Sequence, residues 1–355
     1  MAATTTPDKL TPTDPRVQHR TYTIPASPYN KTYHYLLAEP PSGTPATATC
    51  LLVHGFPDLS FGWRYQVPYL VSLGLRVIVP DLPGFGRTDA PQELGAYSYK
   101  SVIDDLVAIV RHVQGKKDGE DVEKILLGGH DWGGAVVWRF ALWYPEVLRC
   151  VFSVCTPFLP VNETFYSKEQ IVQMLPNFGY QLQFEGTEVE EAVVGREMIR
   201  AFLSVMYGAR RADGEAVFGV AKGLRKELLE PEKIGESPLV SREEMDFYAD
   251  EYVKNGMRGP LCWYKTNRVN FDEDRVLLEQ GKTKVTVPSL MVVASRDAAL
   301  PPAMSAGMGE YVPDLVKREV DATHWALWEA PAETNKHIGE FLEGILKGQP
   351  LKASI

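Results

Sequence analysis

No stretch of this sequence approaches the ~20 consecutive apolar residues needed to cross a bilayer, so no membrane span is expected. There is no block of Lys and Arg either: 37 basic residues stand against 46 acidic ones, a formal charge of −9. Phosphate contacts need a clustered cationic face, so nucleic acid and anionic membranes are excluded as expected partners. Cysteine is scarce. Cys50, Cys150, Cys155 and Cys262 form no CxxC pair and three of them sit in apolar runs, which excludes a disulfide scaffold and implies buried free thiols in a reducing compartment. The N-terminus has neither the apolar core of a signal peptide nor the Arg-rich pattern of a transit peptide. A cytoplasmic protein, monomeric or weakly homo-oligomeric, is therefore expected.

The 355 residues are 45% hydrophobic and 23% charged, the balance of a globular protein with one large or two small domains. Residues 1–20, rich in Thr, Pro and Asp, read as a flexible tail. Alternation over 21–24 and 32–37 predicts two opening strands. Short continuous apolar runs then recur at 49–53, 77–79, 125–127, 151–154 and 290–293, the pattern of parallel strands buried on both faces. Helical patterns lie between them, as at 101–113, so an α/β sheet flanked by helices is expected. From 159 to 270 strand runs cease and helical patterns follow one another, notably over 188–207 and 242–255. The second opens with Ser241 and Glu244 at capping-box spacing. This segment is expected to be an all-helical cap inserted between core portions 21–158 and 271–355, with strand logic resuming at Thr286 and a last helix over 332–346.

The chemistry concentrates in Ile125-Leu126-Leu127-Gly128-Gly129-His130-Asp131-Trp132-Gly133-Gly134. A buried strand runs through a small-x-acid-x-small turn into a helix expected to begin at Val136-Val137-Trp138, the nucleophile-elbow pattern with Asp in place of Ser. Gly129 and Gly133 permit the tight bend. A carboxylate, with a reference pKa of about 4, is ionised at neutral pH and needs no base before it attacks. On an ester it would form an anhydride, but on a saturated carbon bearing a leaving group it forms an ordinary ester. Asp131 therefore suits epoxide opening or halide displacement.

Hydrolysing that ester takes a base and oxyanion donors. His324, in Thr323-His324-Trp325, follows an expected last strand over 316–320, and Asp297 follows the strand at 290–293. The order nucleophile, acid, histidine is that of α/β-hydrolases. Asp297 is expected to orient His324, which activates water; Asp321 is a rival orienting acid. The backbone N–H groups of Trp132 and of Phe56, in His54-Gly55-Phe56-Pro57-Asp58, are the expected oxyanion donors. His54 reads as structural and Asp81 as turn chemistry. Phe56, Trp132, Phe158, Phe178, Leu300 and Trp325 are expected to line an apolar pocket.

His54-Gly55-Phe56-Pro57, Gly129-His130-Asp131-Trp132-Gly133-Gly134, Asp297 and His324-Trp325 together resemble the soluble epoxide hydrolases of the α/β-hydrolase fold, over about residues 22–346. The resemblance implies Asp131 as nucleophile, completed by Asp297 and His324. It also implies two tyrosines that donate to the epoxide oxygen, matching Tyr180 in Asn177-Phe178-Gly179-Tyr180 and Tyr264 in Trp263-Tyr264-Lys265. A phenol, with a reference pKa of about 10, stays protonated at rest yet donates strongly to a developing alkoxide. Haloalkane dehalogenases share the Asp-Trp elbow but bind halide with weak donors such as indole N–H; Phe56 has no side-chain donor, while Trp263 beside Tyr264 leaves a second indole to be placed. Thr323 stands where many members have Gly. The 20 residues before the first strand are too few for the phosphatase domain of mammalian relatives. The expectation is an epoxide hydrolase needing no cofactor or metal, which acts on a small lipophilic epoxide and water and releases a vicinal diol. The alternatives are a haloalkane dehalogenase and a ligand receptor on the same fold.

Overall fold

Eight strands form the central sheet of the computed structural model, which describes residues 7–25, 27–117 and 119–349. They are β1 (Gln18–Thr23), β2 (Thr32–Ala38), β3 (Ala48–Val53), β4 (Leu75–Pro80), β5 (Ile125–His130), β6 (Leu148–Val154), β9 (Ser289–Ala294) and β10 (Leu315–Val320). Two-residue strands β7 (Phe218–Gly219) and β8 (Gly223–Leu224) form a separate small hairpin. The sheet order is β1-β2-β4-β3-β5-β6-β9-β10, antiparallel where β2 meets β1 and β4 and parallel elsewhere. Every residue of β3, β5 and β9 is buried. That is why these runs read as almost continuously apolar: both faces are covered, and the polar exceptions Thr49, His130 and Ser289 lie at or next to strand ends.

The flanking helices are α1 (Gln66–Ser72), α2 (Tyr99–Val113), α3 (Trp132–Trp143), α10 (Asn267–Glu279), α11 (Ala326–Glu329) and α12 (Pro331–Leu346). Between β6 and β9 the chain adds α4 (Lys168–Met174), α5 (Tyr180–Glu185), α6 (Glu188–Ala192), α7 (Arg196–Met206), α8 (Arg242–Asn255) and α9 (Arg258–Cys262) before α10. The capping box at Ser241 and Glu244 is present on both sides. Buried Arg139 of α3 pairs with Asp274 of α10 at 2.9 Å and reaches the start of the inserted segment by donating to the Leu159 carbonyl at 2.8 Å. Removing one partner of such a buried pair costs roughly 3–5 kcal/mol.

Several expectations need correction. Residues 1–6 lie outside those described, but from Lys9 onward the expected tail is held down: Leu10 is buried and donates its N–H to the Arg64 carbonyl, and Lys9 pairs with Glu244. The apolar Leu10 is what anchors it. The segment at 159–270 is not wholly helical, because it contains the β7–β8 hairpin, and α10 runs through its expected end at 270. The helix expected over 188–207 is two helices, broken at Gly195, whose φ of +81° no helix accommodates. Strand structure resumes at Ser289, after Pro288, rather than at Thr286. The elbow helix starts at Trp132, directly after Asp131.

Candidate active site

The elbow is built by steric exclusion. Asp131 has φ +54°, rare for a residue with a Cβ, between β5 and α3. A methyl group at Gly129 would overlap the Gly133 carbonyl, and one at Gly133 would overlap the carbonyls of Val53 and His54. Only glycine lets α3 fold back this close to β5 and β3. Thr156 Oγ1 donates to the Asp131 carbonyl at 2.8 Å and fixes the far side of the bend. Asp131 thus sits at the N-terminus of a 12-residue helix, where the free first-turn N–H groups and the helix dipole favour negative charge.

Each oxygen of the Asp131 carboxylate has its own partner. Oδ1 accepts the Phe56 N–H at 2.6 Å, and Oδ2 lies 3.3 Å from His324 Nε2. The other ring nitrogen, Nδ1, is 2.8 Å from Asp297 Oδ2, while Asp297 Oδ1 accepts the N–H groups of Ala299 and Leu300. The side chains of His324 and Asp131 keep 17% and 13% exposure and that of Asp297 none, so water reaches the first two and not the third. Burial would raise the Asp297 carboxyl, but the adjacent His324 and the two N–H groups bring it down to about 2. Burial would lower the His324 imidazole; the carboxylates on its two nitrogens win and raise it well above its ordinary value. At neutral pH the resting site therefore holds an imidazolium between two carboxylates.

Asp321 is not the orienting acid. Its side chain is 82% exposed and pairs with Arg296 at 2.7 Å. Thr323 is held by Glu329, which accepts both its N–H and its hydroxyl. His54 is enclosed, bonding Gly55 O at 2.9 Å and accepting the Leu82 N–H, a structural arrangement. Asp81 organises its turn by accepting the Ser60 N–H and also pairs with His34. The Phe56–Pro57 peptide is cis. Burial holds His130 down at about 4, hence neutral, with its Nε2 donating to the His324 carbonyl.

Tyr180 opens α5, and Tyr264 lies in a 3-10 turn after α9. Their rings are 6.0 Å apart, and the Tyr264 ring stands edge-on to Phe56, Phe184 and Trp132 at 5.1–5.3 Å. Burial raises both phenols, Tyr264 most of all, and the Asp131 carboxylate adds to the shift. Both therefore stay protonated at neutral pH. Lys168 of α4, itself buried, donates to the Tyr264 carbonyl from behind. The Trp263 indole is committed to the Pro83 carbonyl at 3.0 Å, so it offers no second N–H to the site.

Not every expected lining residue falls where placed. Phe158 makes its ring contacts with Trp138 and Tyr311 and lies under Arg139, because an aromatic at the end of β6 is drawn into the core beside α3. Trp325 is buried with its indole on the Met206 carbonyl, and its ring stands 5.5 Å from that of His324. Phe178 is buried in the turn before Tyr180, and Leu300 is half-buried beside Asp297. Phe184 and Phe202, which pack around Phe56, went unnoticed in the sequence; no local motif marks them. Among the described residues one trio, His130, Cys155 and His324, has ligand atoms within 4.8 Å of one another. Its Cys155 and His130 already donate to the His324 carbonyl, so a metal there would dismantle the hydrogen-bonded array.

Residues 49–331 match the family model for the alpha/beta hydrolase fold. The chain is 44% identical to epoxide hydrolase srdG of Neurospora crassa over 96% of its own length and 99% of that protein's. The chain belongs to the epoxide hydrolases of the α/β-hydrolase fold. It is also 35% identical to bifunctional epoxide hydrolase 2 of Sus scrofa, over 83% of this chain and 51% of that longer one. Among solved structures, epoxide hydrolase A of Mycobacterium thermoresistibile superposes with a TM-score of 0.74 at 25% identity, covering 92% of this chain and 98% of that one. An epoxide hydrolase from Vigna radiata gives 0.71 at 25% identity, with the same coverage. No helix among the described residues is long and apolar enough to cross a membrane.

Proposed function

We propose that this epoxide hydrolase converts a lipophilic epoxide to a vicinal diol through an ester on Asp131, in a pocket between the α/β core and a cap formed by about residues 159–270. Supporting the reading above all is a carboxylate held between the Phe56 N–H and His324, with the Tyr264 ring packed on Phe56 and Trp132 and the Tyr180 ring 6.0 Å from it. An oxygen of Asp131 attacks an epoxide carbon; the carbon–oxygen bond breaks, and Tyr180 and Tyr264 donate to the departing oxygen, one giving up its proton. Water then adds to the ester carbonyl as His324 takes a proton from it. The oxyanion on Oδ1 is held by the N–H groups of Phe56 and Trp132. Collapse releases the diol, His324 returns its proton to the departing oxygen, and the second water proton restores the phenol.

The resting imidazolium fits this order. Before His324 can accept a proton from water it must pass the one it holds to solvent, which reaches its partly exposed ring, and it takes one back from solvent once the Asp131 carboxylate is restored. Forming the ester removes the Asp131 charge that helps retain that proton, so the base is released when its substrate appears. Displacement of a halide would call for weak donors. Trp132 can offer one indole, but Phe56 has no donor in its side chain and the Trp263 indole is already bonded, so neither of them supplies the second weak donor a halide would need.

The apolar rings around Asp131 favour lipophilic substrates. Cytoplasmic residence and a monomer or weak homo-oligomer belong to the same proposal. A single turnover in ¹⁸O-water tests it: the label should enter the Asp131 carboxylate, whereas label found only in the diol would rule out the ester. With the His324→Gln variant, the ester should persist as a stable mass increase.

A further inference from the structure

Three tyrosines outside the proposed proton-donating pair converge on the loop that carries the Phe56 N–H. Tyr207, at the end of α7, donates to the Pro57 carbonyl. Tyr248 of α8 donates to Asp58 Oδ1 at 2.7 Å, and Tyr252, one turn further on, donates to the Asp58 carbonyl at 3.2 Å. All three are essentially buried. Asp58 is buried too, its N–H donating to Gly55 O, and its Oδ2 has no hydrogen-bond partner among the described residues, a costly arrangement for a carboxylate. Three donors from the helical segment therefore grip the two residues that follow Phe56, alongside the Leu59 N–H, which donates to Asp58 Oδ1 at 2.7 Å from the core.

We propose that Tyr207, Tyr248 and Tyr252 are positioning residues that clamp the oxyanion loop, so that the Phe56 N–H is aimed by the cap and not only by the sheet. The inference rests on the proposed ester mechanism, and it predicts an asymmetry between the two steps. In the resting enzyme the Phe56 N–H stabilises the Asp131 carboxylate, which does nothing to speed attack. In ester hydrolysis the same N–H stabilises a full charge forming on Oδ1. A displaced donor therefore weakens the second transition state selectively.

Tyr248→Phe and Tyr252→Phe are compared with the wild type by quenched-flow mass spectrometry, using whichever of a styrene-type, terpene or fatty-acid epoxide reacts fastest. Tyr97→Phe serves as the control, since Tyr97 is an equally buried phenol that donates to the Pro91 carbonyl elsewhere. Both clamp variants should slow ester hydrolysis about tenfold and alter ester formation by less than about threefold, so that ester accumulates. The control should leave the ratio of the two rate constants unchanged. Tm is measured for every variant, and Tyr207→Phe replaces either clamp variant that fails to fold. Equal loss in both steps, or a fall in Tm with the ratio unchanged, overturns the clamp while leaving the ester mechanism standing. A wild type that forms no ester with any of the epoxides overturns the parent reading and the clamp together.

Discussion

The backbone N–H of Phe56 lies 2.6 Å from Oδ1 of Asp131, while the other carboxylate oxygen faces His324. A methyl group on Gly55, next to Phe56, would overlap the Asp131 carboxylate, so the close approach depends on glycine at that position. In the proposed mechanism the nucleophile is held by one oxygen before substrate arrives, and the donor that holds it already lies where the later oxyanion would form. Replacing Gly55 with Ala should therefore slow ester hydrolysis severely, and quenched-flow measurement of ester decay checks it.

Removing the Asp131 charge should lower the affinity of His324 for its proton. Asp131→Asn deletes one of the two carboxylates that raise it, leaving burial opposed by Asp297 alone. The sign follows directly: a histidine raised by anions loses part of that shift when one anion goes. Titration of the imidazole by NMR should show its midpoint falling relative to the wild type, with epoxide turnover lost. An unchanged midpoint would mean that Asp131 does not hold the proton and would remove the argument for release of the base on esterification.

Asp297→Asn should leave ester formation nearly intact and slow ester hydrolysis by roughly 10³-fold or more, since an amide cannot stabilise the imidazolium. Rapid-mixing measurement of the two steps separates them. Asp321→Asn is the internal comparison. Its exposed carboxylate pairs with surface Arg296 and accepts the Ser295 hydroxyl, away from His324, so it should change neither step.

The elbow was legible because strand and turn are contiguous and each glycine has a steric reason to be there, although its helix starts at Trp132 and not at Val136. Asp297 and His324 were legible from chain order and from their places after strands. Tyr180 and Tyr264 were not legible from residue type, since nothing local distinguishes them among 16 tyrosines except the resemblance of their contexts. The clamp was hidden for another reason: Tyr248 and Asp58 are 190 residues apart, and periodicity shows that α8 buries a face without showing which carbonyl that face meets. Phe158 misled because proximity in sequence is a poor guide once a side chain can turn into the core; Asp321, the rival to Asp297, turns to solvent instead.

Tyr180→Phe and Tyr264→Phe should each slow ester formation by about 10²-fold, and the double variant should nearly abolish it. Ester already formed should decay at the wild-type rate. Because burial and the Asp131 charge raise both phenols above the ordinary tyrosine value, ester formation should not decline from loss of these protons as pH climbs to 9. Single-turnover rates across that range check the claim.

Lys168 offers a test in stability. Burial brings its ammonium down to about 8, while the unfolded chain keeps the ordinary value of 10.5. Below pH 8 both states carry the charge, and folding bears the full cost of burying it. Between 8 and 10.5 the unfolded state binds more protons than the folded one, so this cost shrinks as pH rises. The stability of the wild type relative to Lys168→Met should therefore increase across that window, read from urea unfolding at each pH. Because the amine also supports the Tyr264 carbonyl, the same variant should slow ester formation more than ester decay. A flat stability difference would show that the lysine is not buried as a charge, and equal slowing of both steps would separate it from the positioning of Tyr264.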